Sequence, residues 1–169
     1  MRRQSVSFLT LALAASLTAG CAQQSAHPTS EPTASGSRVT EIRYRVGPCH
    51  GTCPVYQVEL DDAGTTRFVG EQFTAIEGER VRANDPERFT RVLDRLAAWQ
   101  PAMGMTVETP TCGPRATDMS HYTVTWTNGD GEVAVLEHDS GCRSADARLL
   151  TERLRSLPQA LGIEAWVGR

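Results

Sequence analysis

Two stretches of the chain alternate strictly between apolar and polar residues, and this constrains the fold more than any other feature. Tyr56, Val58 and Leu60 are separated by Gln57 and Glu59, and Tyr122, Val124 and Trp126 by Thr123 and Thr125. A period of two puts every apolar side chain of a stretch on one face of an extended strand. Each stretch runs into turn chemistry, Asp61-Asp62-Ala63-Gly64 and Asn128-Gly129-Asp130-Gly131, and returns over residues 66–70 and 133–138. The chain therefore contains two hairpins with one wet face each. Ile42, Tyr44 and Val46, alternating with Glu41, Arg43 and Arg45, predict another strand, and a short return around Val81 predicts one more.

After each hairpin the period changes to 3.6. Asp85 offers an N-cap, Pro86 suits the first helical position, and Phe89, Val92, Leu93, Leu96 and Trp99 form an apolar stripe that Pro101 ends. Ala147, Leu150, Leu154, Leu157 and Leu161 step by 3, 4, 3 and 4, which predicts a second helix. The two alternating stretches superimpose at an offset of 122 − 56 = 66 residues. Either the domain consists of two ββα units or two hairpins merely share their alternation. The expected fold class is α+β, an antiparallel sheet of about five strands with two helices packed on one face.

The 169 residues are 40% apolar and 22% charged, enough for one ordinary domain and an extension. All 17 basic residues are Arg, against 20 acidic ones, and a balance of −3 carries no electrostatic footprint for nucleic acid. At the amino terminus Arg2 and Arg3 precede a mostly apolar run over residues 6–20, too short to span a bilayer as a helix. The run ends in Leu17-Thr18-Ala19-Gly20-Cys21, which resembles the lipobox of bacterial lipoproteins. That resemblance implies cleavage before Cys21 and acylation of its thiol and new amine. Ala22 stands where the enterobacterial inner-membrane retention signal is Asp, which implies the periplasmic face of the outer membrane. The membrane is then a partner through the acyl chains, each buried methylene contributing about 0.8 kcal/mol. Residues 1–20 read as signal peptide. Residues 21–37 read as lipidated Cys21 and a Ser/Thr/Pro tether reaching about 20 to 24 Å. Residues 38–169 read as one disulfide-bridged domain.

With Cys21 assigned to lipid, four cysteines remain, an even number suited to an oxidising compartment. Cys49 and Cys53 are close in sequence, with Gly51 between them and Pro48 and Pro54 stopping any helix, so a bridge is feasible. Cys112 and Cys142 flank the open end of the second hairpin, where antiparallel pairing brings the chain together. Of three possible connectivities, Cys49 with Cys53 and Cys112 with Cys142 is the expected one. The segment GPCHGTCPVY over residues 47–56 resembles the signature C-F-G-x-C-P-x-Y of a bacterial envelope family, domain of unknown function 6438. The resemblance continues through the turn at Gly64, Thr117-Asp118 and Trp166-Val167-Gly168, with His50 where the family has Phe. It implies the family's fold and an envelope location, and no activity.

The chemistry-bearing residues exclude more than they assign. There is no nucleophile elbow, no H-E-x-x-H, no phosphate loop and no C-x-x-C-H haem site. The spacing C-x-x-x-C between strands lacks the helix start that activates a redox thiolate. His121 and His138 are expected on the same outer face of the second hairpin, with Asp118 and Asp139 near. That is either a Zn or Cu donor set or, as preferred here, a polar Thr-rich solvent face. Asp118 with Arg115 or Arg143 reads as a structural ion pair. The expected function is a lipid-anchored, non-catalytic binding or interaction module without cofactor, its partner an envelope protein or small ligand. His50, Asp118, His121 and His138 are its candidate ligand-binding residues. The rival is a thiol-disulfide or metal-handling factor using Cys49, His50 and Cys53.

Overall fold

A computed structural model describes residues 38–109 and 111–168. Seven strands form a single sheet: β1 (Val39–Val46), β2 (Val55–Asp61), β3 (Thr65–Gln72), β4 (Gly78–Ala83), β5 (Thr106–Glu108), β6 (His121–Asn128) and β7 (Val133–Asp139). Their order across the sheet is β4-β3-β2-β1-β6-β7-β5. The helical segments are α1 (Glu87–Leu96), α2 (Ala145–Arg155), α3 (Leu157–Leu161) and α4 (Glu164–Val167), with a 3₁₀ turn at Ala97–Trp99. No helix among the described residues is long and apolar enough to cross a membrane.

The sheet corrects the expected fold. It has seven strands rather than about five, and it is mixed, because β5 runs parallel to β7 while every other pairing is antiparallel. The two-unit ββα scheme also fails. The first hairpin, β2–β3, continues into β4 before α1, and β1 lies between the hairpins, paired to both β2 and β6. The helical count differs for a covalent reason. The stripe from Ala147 to Leu161 keeps its phase but breaks at Ser156, because Pro158 has no N–H and starts the separate helix α3. Gly162, at φ 67°, ends that helix in the left-handed conformation that glycine tolerates best.

Alternation explains which face is dry. Ile42, Tyr44, Val58, Leu60, Phe68, Val124, Trp126 and Leu136 are buried in one cluster with Phe89, Val92 and Leu96 of α1, and with Leu150, Leu154, Leu157 and Leu161 of α2 and α3. Each such side chain contributes about 1.5 to 3 kcal/mol by leaving water. On the opposite face Arg43 reaches Glu59 at 2.9 Å and Glu41 at 3.3 Å, Arg45 reaches Glu71, and Arg67 reaches Glu79. These exposed pairs contribute little individually, about 0 to 1 kcal/mol each, and keep that face wet. The edge strand β4 is exposed along most of its length and carries Glu79, Arg80 and Arg82, charges that discourage further strand pairing.

Candidate functional site

Residues 47–54 join β1 to β2 and fold over the end of the sheet. Gly47 donates its N–H to the carbonyl of His121 at 2.8 Å, and a Cβ at this position would stand 3.3 Å from that oxygen. A side chain here would have to push that carbonyl back by a few tenths of an ångström. Cys49 and Cys53 are bridged across the loop with their Cα atoms 5.8 Å apart. The loop is tied across the sheet, since the N–H of His50 donates to the carbonyl of Asp118 at 3.0 Å.

A second set of constraints delivers Asp118 to the same place. Cys112 and Cys142 are bridged at an S–S distance of 2.04 Å. The N–H groups of Arg143 and Ser144 donate to the Cys112 carbonyl, and Ala116 N–H donates to Gly141. Arg115 pairs with Asp139 at 3.1 Å, which corrects the expected partnership of Asp118 with Arg115 or Arg143. Asp118 instead accepts from the Thr117 hydroxyl and adopts φ 66°.

Between these loops and the carboxyl-terminal helices lies a cleft of about 920 Å³. The chain has three tyrosines, and all three line it: Tyr44 from β1, Tyr56 from β2 and Tyr122 from β6. Register accounts for their convergence, because Tyr56 and Tyr122 flank Val46 from either side and Tyr44 lies one inward position back along β1. The Tyr44 ring stacks on Tyr122 and meets Tyr56 edge-on, both with centroids 6.0 Å apart. The three residues are only 2%, 3% and 7% exposed, so the rings pack on one another and leave little beyond their rims to the cleft. The Tyr44 hydroxyl donates to the carbonyl of Leu154 at 3.1 Å. Burial pushes the phenols of Tyr44 and Tyr56 well above their ordinary pKa, so both remain protonated hydrogen-bond donors at any physiological pH.

The far wall is helical. Arg155 ends α2, Pro158 and Gln159 come from α3, and Glu164 and Val167 come from α4. Asp118, Arg155 and Glu164 are exposed at the cleft and make no ion pair among the described residues, whereas the outer-face arginines Arg43, Arg45 and Arg67 are all paired.

Of the four candidate ligand residues, the structure brings His50 and Asp118 to this cleft and places His121 and His138 elsewhere. The expectation that the two histidines share an outer face is overturned. Thr127 pairs with Val133 across a five-residue turn, so Tyr122 opposes His138, and His138 points into the core at 1% exposure. His121 opposes Asp139 on the other face. His138 is held by two threonines, Nδ1 by Thr109 and Nε2 by Thr151, each at 2.7 Å. The Thr151 hydroxyl gives its proton to the Ala147 carbonyl at 2.9 Å and must therefore accept from Nε2–H, which leaves Nδ1 to accept from Thr109. Burial lowers the His138 pKa to about 4, so this neutral tautomer holds at pH 7. Among the described residues no three His, Cys, Asp or Glu side chains converge to hold a metal ion.

By sequence pattern alone the tyrosines are inward strand residues, and nothing singles out Arg155 or Glu164 for the site. A signal was available for the first group: every tyrosine occupies an inward strand position near a Gly/Pro/Cys loop or its partner strand.

These features define an α+β domain built on one mixed sheet, with a tyrosine-floored cleft collared at one end by a short disulfide loop. The chain belongs to the family described as domain of unknown function DUF6438, whose model matches residues 40–158. The matched span contains both disulfides and all three tyrosines and stops before α4, so Trp166-Val167-Gly168 lies outside it. No curated protein matches the chain.

Proposed function

We propose that this protein is a lipid-anchored component of the bacterial cell envelope, held at the periplasmic face of the outer membrane through Cys21, and that it binds a small ligand in the cleft without catalysis. The observation that carries this reading is the convergence of all three tyrosines on one 920 Å³ cleft, a volume within the range of small-molecule sites. Cys21 and the tether lie outside the described residues. Arg38 precedes β1, whose far end, Val46, lines the cleft. Eight extended residues separate the two by about 25 Å, so the cleft lies at the end of the sheet opposite the tether's attachment.

Two measurements test this. Labelled palmitate should enter the wild-type chain and not Cys21→Ser, and a soluble, unlabelled wild-type product would contradict anchoring. A water-soluble envelope extract should raise the melting temperature of the full chain and be recovered unchanged. Ala165→Trp, which places a bulky ring in the cleft from an exposed position, should abolish the effect. An extract that leaves wild type and variant alike, or that the protein converts chemically, contradicts the binding role.

A further inference from the structure

We propose that the cleft takes a short zwitterionic peptide, its carboxylate held by Arg155 and its ammonium by Asp118 and Glu164. This rests on the reading of the cleft as a ligand site and assigns the chemistry of what fills it.

The donors lie together. Arg155 projects from the end of α2 near enough to Tyr44 to affect its ionisation, and Tyr56 and Tyr122 line the same cleft. The Tyr44 proton is already given to the Leu154 carbonyl, so the guanidinium supplies the donors, a planar fork of N–H groups that complements a carboxylate. The acceptors come from other segments. Asp118 stands on the segment pinned by His50 and Glu164 on α4, and ionised carboxylates can only accept. Asp118 is also held at φ 66°, a conformation uncommon outside glycine and one that collects at functional sites. The rest of the lining is largely uncharged, with Val46, Pro54, Met119 and Val167, and suits small side chains. One arginine against two carboxylates disfavours a polyanion, whereas a ligand carrying both signs meets a partner for each.

Two envelope sources share this chemistry: cell-wall stem peptides ending in D-alanine, and L-peptides from protein breakdown. Calorimetry on the full chain in detergent would use tri-alanine as probe, all-L or ending in D-Ala-D-Ala, each free, N-acetylated or C-amidated. We expect saturable binding of a free peptide, weakened about tenfold or more by amidation or by Arg155→Gln. Acetylation, Asp118→Asn or Glu164→Gln should weaken it as well, and Arg148→Gln, on the same helix outside the cleft, should not. All three site residues are exposed, so these variants keep the fold. The tighter of the L and D arms identifies the source. Blocked and free peptides binding alike, or no heat from any, overturns the zwitterion. An extract that still stabilises wild type and not Ala165→Trp would then leave the cleft's binding role standing.

Discussion

At the end of the sheet where β1 begins, the turns are short and satisfy their own polar groups. Asn128 Oδ1 accepts from the N–H groups of Asp130 and Glu132, and Asp61 Oδ1 accepts from Thr65 at 2.7 Å. At the opposite end the connections are longer and two disulfides hold them. All three non-glycine residues at positive φ among the described residues, Phe73, Thr111 and Asp118, belong to that end. Phe73 is besides 54% exposed. Left-handed backbone in such residues costs about 1 to 3 kcal/mol each and persists only where surrounding structure enforces it. One end closes the hairpins cheaply, while the other holds left-handed residues, one of which, Asp118, lines the cleft. Strain and crosslinks are concentrated at the end of the sheet that carries the cleft.

The largest expected effect comes from removing a crosslink at the strained end. Cys112→Ser with Cys142→Ser releases a loop of 142 − 112 + 1 = 31 residues and should lower unfolding free energy in urea by about 3.7 kcal/mol on the loop-entropy estimate. Cys49→Ser with Cys53→Ser releases only five residues, 53 − 49 + 1, and should cost about 2 kcal/mol. Equal losses would show that neither bridge acts through loop length.

Acid should find the same end. His138, near the cleft end of β7, has a folded pKa of about 4, below its ordinary value near 6.5. As pH falls between these values the unfolded chain binds the proton first, so stability present above pH 6.5 is lost toward pH 4, by about 3 kcal/mol. Urea midpoints followed across that window should fall steeply in wild type and much less in His138→Gln. Parallel profiles would remove His138 as the cause.

A pair of glycine exchanges gives the smallest and most discriminating contrast. At the quiet end Gly64 sits at φ 91°, where a Cβ would stand 2.6 Å from the Asn84 carbonyl oxygen, so Gly64→Ala should destabilise by about 2 kcal/mol. At the strained end Asp118→Gly should relieve backbone strain and stabilise by about 1 kcal/mol while weakening ligand binding. Calorimetric melting reads both, and destabilisation by Asp118→Gly would contradict the account of strain.

Much of this architecture is legible in the chain itself. The hairpins β2–β3 and β6–β7 and helix α1 follow from period and turn chemistry, which are local properties of the chain. Strand β5 is not legible: three residues have no readable period, and only parallel pairing with β7 makes them a strand. The break at Ser156 is hidden because Leu157 and Leu161 keep the helical phase across Pro158. The inward turn of His138 depends on the five-residue span between Thr127 and Val133, since a one-residue change would exchange the faces of β7. The cleft is least legible, because Tyr56, Asp118, Arg155 and Glu164 are distant in sequence and meet only through the order of strands and the break between α2 and α3.

The most direct test uses the tyrosine count, since three residues give three sets of ring signals. The full chain, labelled at tyrosine, tryptophan and histidine, would be titrated in detergent with a water-soluble envelope extract and followed by nuclear magnetic resonance. Saturable shifts are expected at Tyr44, Tyr56 and Tyr122 with Trp126 unmoved, and no shifts in Ala165→Trp. Static tyrosine signals, or identical shifts in the filled-cleft variant, would contradict it.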